Sequence, residues 1–177
     1  VARQVIYNSH NVDKRRMTEY ILGAIDNQKR LKVLDFGCGI GLPAFTLAEK
    51  GHDVTAMDIR GTGTFEFLKW RALRHGVPIR FIDSEGGPPR LTGEELDVIV
   101  AMDCIEHIED WRGTVRSLAD RLKPTGVLFS NNGILEDKLH PEHYDIGNKE
   151  FIATCMAADL MPFNQITYIK RQPEPLP

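Results

Sequence analysis

Val33-Leu34-Asp35-Phe36-Gly37-Cys38-Gly39-Ile40-Gly41 is the stretch on which the reading of this chain turns. Leu31 to Phe36 has the pattern of a buried strand, and it runs straight into three glycines at alternate positions. Leu42 to Lys50 then reads as a helix, with Pro43 tolerated in its first turn and Gly51 at its end. A strand, a glycine turn and a helix in that order bring bare backbone amides to a helix N-terminus, where a ligand can lie against them. The spacing is G-x-G-x-G rather than the G-x-G-x-x-G of dinucleotide sites, and an acidic residue, Asp35, precedes it. No P-loop Lys-Ser/Thr pair accompanies the glycines, which argues against a nucleoside triphosphate.

Outward from that stretch, strands and helices alternate. His52 to Asp58 reads as a second strand, Thr64 to His75 as a helix stopped by Gly76, and Val77 to Asp83 as a third strand. A Gly-Gly-Pro-Pro breaker occupies 86–89. Leu96 to Met102 is almost wholly apolar, as a central parallel strand covered on both faces should be. Trp111, Val115, Leu118, Ala119 and Leu122 line one face of a further helix, which Pro124 ends, and Val127 to Ser130 follows as a fifth strand. Lys149 to Asp159 is a last helix and Gln165 to Ile169 a last strand, while Met17, Tyr20, Ile21, Ala24 and Ile25 mark a short helix near the start. The alternation predicts an α/β fold, doubly wound, with a mainly parallel sheet. Prolines 173, 175 and 177 keep the tail out of the sheet.

With 177 residues, 42% of them hydrophobic and 27% charged, the chain fits one globular domain, 1–177. Its parts would be an N-terminal helical segment (1–28), a ligand-binding core (29–131) and a substrate-side loop, helix and strand (132–177). No run of about 18 apolar residues offers a membrane span. The net charge of −3 speaks against a dedicated nucleic-acid partner, which usually needs a clustered basic excess. Three widely spaced cysteines, 38, 104 and 155, suit a reducing compartment better than a disulfide framework. Together with a first residue, Val1, that no charged-then-apolar leader precedes, they lead to the expectation of a cytoplasmic protein.

Asp58 closes the second strand, 17 residues after Gly41. In doubly wound folds a carboxylate at that point accepts from the paired hydroxyls of a ribose.

The chain here resembles the class I methyltransferases that use S-adenosyl-L-methionine. Their first motif is matched by Val33 to Gly41 and their acidic second motif by Asp58. Their segment after strand four is similar to Leu96-Asp97-Val98-Ile99-Val100-Ala101-Met102-Asp103-Cys104-Ile105-Glu106-His107-Ile108, and their fifth-strand lead-in to Leu122-Lys123-Pro124-Thr125-Gly126. The resemblance runs in order over 31–131 and implies a Rossmann-like methyltransferase fold acting on a small-molecule substrate. It implies that Gly37, Cys38, Gly39 and Gly41 face the methionine part of the cofactor, with Asp35 near its amino group. It places Asp58 at the ribose, Asp83 at the adenine amino group, and Asp103 and Cys104 beside the sulfonium and the incoming substrate; Ile59, next to Asp58, is counted among the cofactor-binding residues.

Family members usually end in two strands, the last inserted antiparallel. Only one, Gln165 to Ile169, is legible here, so the sheet is expected to lack one C-terminal strand. Either the chain was cut, or the fold is trimmed, or a second copy of the chain or another partner completes the edge.

Methyl transfer to a hydroxyl needs a base, and a neutral histidine suits that task near pH 7. His107 stands in Glu106-His107 just after the fourth strand, and His140-Pro141-Glu142-His143-Tyr144 follows the fifth. We take His107 as the expected base, His143 as the substrate anchor and Asp103 as a third catalytic group. Asn131 and Asn132 would orient substrate through their amides. Asp103, Glu106, His107, His140 and His143 also make a mixed carboxylate–imidazole set chemically suited to a divalent cation, but nothing in their spacing brings them together, and no metal is expected. Trp70 and Trp111 are read as packing residues. Two rival readings stand beside the small-molecule enzyme. One is an RNA or tRNA methyltransferase, whose basic face could only come from Lys14-Arg15-Arg16 and Arg71 with Arg74. The other is a catalytically silent subunit that activates a partner, supported by the shortened sheet.

Overall fold

The computed structural model describes residues 12–25, 28–93, 95–132 and 143–173. They fall into two compact units, 1–85 and 86–177.

In the first unit, helix α1 (Val12–Ile25) precedes β1 (Lys32–Phe36), α2 (Leu42–Glu49), β2 (Asp53–Ile59), α3 (Gly63–His75) and β3 (Ile79–Ser84). The three strands are parallel, with β2 between β1 and β3 and the registers Val33↔Val54 and Asp58↔Asp83. Val33, Leu34, Val54 and Ala56 are buried, and so are Phe45 and Leu47 of α2 and Phe65 and Leu68 of α3. Each such Leu, Val or Phe stabilises the fold by about 1.5–3 kcal/mol, so the strand cores and the helix faces hold one another in place. α3 stops where Gly76 adopts φ 66°, and the Val77 amide donates to the Ala72 carbonyl at 3.0 Å.

In the second unit, β4 (Leu96–Ala101) leads into a single 3-10 turn, Ile105–His107. Then come α4 (Trp111–Ala119), β5 (Leu122–Ser130), α5 (Asn148–Ala157), β6 (Leu160–Pro162) and β7 (Thr167–Lys170). β4 and β5 are parallel, β7 joins β5 antiparallel, and β6 joins β7 antiparallel. Asp110 caps α4 by accepting from the Gly113 amide at 2.9 Å, and the buried face is Trp111, Thr114, Val115, Leu118 and Ala119.

Two expectations are corrected here. The sheet lacks no C-terminal strand: β6 supplies the second one, and β7 is the strand inserted antiparallel. β6 escaped the sequence reading because three residues are too few to show alternation, and Pro162 is a residue that strands usually exclude. As the outermost strand, β6 tolerates that proline. The missing strand was also the support for the silent subunit, and that support is gone. The second correction concerns Pro124, which does not end the helix. α4 stops at Ala119, Leu122 already pairs with Leu96, and Pro124-Thr125-Gly126 forms an irregularity before Val98 pairs with Val127. Thr125 takes φ 68° there.

All three cysteines are buried and none is in a disulfide, and burial pushes the Cys155 thiol up to about 12. No helix among the described residues is long and apolar enough to cross a membrane.

Candidate active site

The glycine loop of the first unit has the strained geometry that its sequence anticipates. Gly37, Gly39 and Gly41 adopt φ 67°, 54° and 67°, a left-handed region that costs a residue with a Cβ. The amides of Gly37 and Cys38 both donate to the Met57 carbonyl, at 2.9 and 3.2 Å, which folds the loop back over the end of β2. The glycines then serve different ends. A Cβ on Gly41 would meet Leu68 Cδ2 at 2.3 Å, so its bareness lets α3 pack against the loop. A Cβ on Gly39 would meet nothing within 4 Å, so the space before that residue is open to a ligand.

Asp58 ties this loop to β2. Its Oδ2 accepts from the Gly39 amide at 2.6 Å and its Oδ1 from the Ile59 amide at 2.7 Å. A carboxylate oxygen has two lone-pair sites, so each retains one with which to accept from a pair of hydroxyls. Beside it, Ile59 is 52% exposed and offers an apolar surface at the strand end. A nucleoside with a free ribose fits this arrangement. Asp83 is the register partner of Asp58, but its carboxyl is engaged by Lys69 at 2.9 Å and by Arg60 at 3.4 Å. The Lys69 hydrogen bond, aided by the charges of Lys69 and Arg60, holds it below the usual carboxylate range. An adenine amino group would have to share Asp83 with those cations.

Asp35 is 3% exposed and points at the start of α2, where its Oδ2 accepts from the Ala44 amide at 3.0 Å. Gly41, the N-cap residue, has no side chain to do this, so the carboxylate of the preceding strand does it instead. Loss of water on burial pushes its pKa up to about 7; the Ala44 amide opposes that rise, and the charge of Asp58 adds to it.

In the second unit the polar groups gather at the carboxyl ends of β4 and β5. Asp103 takes φ 50°, unusual for a residue with a side chain, and Asn131 brackets it. The Asp103 amide donates to Asn131 Oδ1 at 2.9 Å, and Asn131 Nδ2 donates to the Asp103 carboxylate. Cys104 is buried, and its carbonyl accepts from the His107 amide at 3.2 Å, closing the 3-10 turn. Glu106 is 4% exposed, and its Oε2 accepts from Asn132 Nδ2 at 3.0 Å. The rings of His107 and His143 stand edge to face with centroids 4.6 Å apart. Glu106, His107 and His143 each place a ligand atom within 4.8 Å of the others. The Tyr144 amide donates to the Glu106 carbonyl at 2.7 Å, which anchors the segment bearing His143.

The structure therefore joins Asp35, the glycine loop and Asp58 in one unit, and Glu106, His107 and His143 in the other. Of the proposed cation set, Asp103 is not part of the converging trio, and His140 lies outside the described residues. A carboxylate with two imidazoles is a donor set that fits a divalent cation. Asn131 and Asn132 correct an expectation: both are buried and committed to Asp103 and Glu106 rather than turned toward a substrate. Buried carboxylates need donors, and the amides at the end of the neighbouring strand supply them. Ser130, which hydrogen-bonds Asn132, was not anticipated; its signal was a polar Ser-Asn-Asn run ending an apolar strand. The tryptophans divide: Trp111 is buried, whereas Trp70 is 57% exposed on α3.

Comparison with known proteins agrees with this geometry. The ubiquinone biosynthesis O-methyltransferase of Vibrio vulnificus (strain YJ016) is 32% identical over 121 residues, which are 68% of this chain and 51% of that protein. The chain thus spans about half the length of the curated relatives it matches. Among solved structures, the YcgJ protein from Bacillus subtilis has a TM-score of 0.70 at 20% identity, covering 82% of this chain and 68% of that one. Magnesium protoporphyrin IX methyltransferase (ChlM) from Synechocystis PCC 6803, solved with bound SAH, has a TM-score of 0.66 at 17% identity, covering 89% of this chain and 83% of that one. These likenesses show the fold, the Rossmann-like α/β arrangement expected above. A family model described as a methyltransferase domain matches residues 8–140, running from the first unit into the second. The chain belongs to the methyltransferase-domain family.

Proposed function

We propose that this chain transfers a methyl group from S-adenosyl-L-methionine to an oxygen or nitrogen of a small-molecule acceptor, acting as one methyltransferase domain in the cytoplasm. The observation that carries the reading is the clasp between the Gly39 amide and Asp58, set beside the open space at Gly39. Asp58 would accept from the ribose hydroxyls, Ile59 would lie against the nucleoside, and Asp35 would meet the amino group of the methionine part. The bound cofactor supplies a methyl on a sulfonium, a good leaving group. His107 would take the proton from the acceptor and His143 would hold the acceptor in line, since positioning is the larger part of catalysis in such a displacement. The O-methyltransferase named for the Vibrio vulnificus relative and the charge of −3 both support a small molecule over a nucleic acid. The experiment is a methyl-transfer screen with labelled S-adenosylmethionine against a metabolite extract. Label should appear in a small molecule; label appearing only in added RNA would overturn the acceptor class.

The convergence of Glu106, His107 and His143 within 4.8 Å favours a second reading of that trio, in which it holds a divalent cation. The cation would draw the acceptor oxygen to itself and lower its proton affinity. Chelator treatment separates the two: activity lost and then restored by a divalent ion makes the histidines ligands, and activity unchanged makes His107 the base.

A further inference from the structure

We infer that Asn132, backed by Ser130, is a positioning residue: it fixes the Glu106 carboxylate and thereby sets how tightly Glu106, His107 and His143 take a divalent cation. The inference rests on the cation reading above. Ser130, Asn132 and Glu106 are all buried, the first at the end of β5, the second just beyond it and the third in the turn after β4. Ser130 Oγ donates to Asn132 Oδ1 at 2.9 Å, and Asn132 Nδ2 donates to Glu106 Oε2 at 3.0 Å.

This relay has one permitted direction. Glu106 Oε2 accepts from Asn132 Nδ2, so Asn132 turns its NH2 toward Glu106 and its oxygen toward Ser130, whose hydroxyl then donates. A flipped amide would set its oxygen against the Glu106 carboxylate, so Glu106 selects the orientation, and the Ser130 hydroxyl, which can donate or accept, then donates to the Asn132 oxygen. The backbone of Glu106 is held as well, because its carbonyl accepts from the Tyr144 amide, one residue beyond His143. Glu106 is thus fixed by its side chain from β5 and by its main chain from the segment that carries one of the two imidazoles.

Among the described residues no lysine or arginine pairs with Glu106, although its carboxyl is buried. One amide offsets little of the cost of a desolvated carboxylate, whereas a cation shared with two imidazoles offsets much more. Partners that orient a ligand in this way typically change cation affinity by about 10–100-fold when removed.

The test uses the full chain and Co²⁺ as the probe, read by its visible absorption. Asn132→Leu keeps the branched outline with added bulk and removes both side-chain hydrogen bonds; Asn132→Asp places a carboxylate against Glu106; Ser130→Ala is the mildest change and guards against a variant that fails to fold. We expect Asn132→Leu and Asn132→Asp to weaken Co²⁺ binding about 10–100-fold, and Ser130→Ala less, while affinity for S-adenosylmethionine stays at the parent's value. Parent-like Co²⁺ spectra and affinity in all folded variants would overturn the inference and leave the cation reading intact. Loss of Co²⁺ and S-adenosylmethionine together would make Asn132 merely structural and also overturn it. If the parent itself takes up no Co²⁺, the cation reading falls and the inference falls with it.

Discussion

Replacing Asp35 by Asn should make the protein more stable at neutral and alkaline pH and weaken its hold on the cofactor. The carboxyl is buried, and its pKa stands at about 7 in the folded chain against an ordinary value of 3.8. Below pH 3.8 both folded and unfolded chains hold the proton, and nothing is lost. Between 3.8 and about 7 the unfolded chain gives the proton up while the folded chain keeps it, so stability falls as pH rises. Each unit of that gap is worth about 1.4 kcal/mol, so the gap of about three units bounds the loss at about 4 kcal/mol by pH 7.5. Asn carries no such proton, and its Oδ1 can still accept from the Ala44 amide that Asp35 Oδ2 now serves. Urea denaturation of both proteins at pH 4.5, 6, 7 and 8 measures the effect. The variant should lead by about 1 kcal/mol at pH 4.5 and by up to about 4 kcal/mol at pH 8. Parallel stability curves for the two proteins would show that Asp35 is ionised in the fold as it is in water, and would refute the reasoning.

Gly39→Val should bind S-adenosylmethionine at least about tenfold more weakly in calorimetry, because it fills the open space and forces a branched residue to φ 54°; unchanged affinity would remove the loop from the site. Gly41→Ala should instead act on stability, lowering it by about 1–3 kcal/mol through the clash with Leu68, as read by thermal melting. His107→Ala should cut turnover by about 10²–10⁴-fold and His143→Ala chiefly raise the acceptor KM, both with cofactor affinity intact. Full activity in both variants would leave the histidines without a role.

What could be read from the sequence was whatever rests on local pattern. Val33 to Lys50 declared a strand, a turn that suits glycines, and a helix, and the structure has all three. Asp58 stood out as an acidic residue closing the second strand, but its bonds to the Gly39 and Ile59 amides depend on how the loop folds back and were not legible. β6 was not legible, because three residues carry no period and Pro162 is tolerated there only by its edge position, which is a property of the sheet. The end of α4 was misread for a related reason: Leu122 continues the helical spacing of Trp111, Val115 and Leu118, and only its pairing with Leu96 makes it strand. At the candidate site, Glu106 and His107 were visible as a pair, but their meeting with His143 depends on the fold. Asn131 and Asn132 looked like substrate groups because the burial that commits them to Asp103 and Glu106 cannot be seen in their neighbours along the chain.

The most direct test of the account is a calorimetric titration of S-adenosylmethionine into the parent and into Asp58→Ala. The account predicts saturable binding to the parent at one site. It also predicts a loss in the variant of about 1.5–3 kcal/mol for each charge-assisted ribose bond, with the fold retained. No binding to the parent at millimolar cofactor, or equal binding by parent and variant, would contradict it.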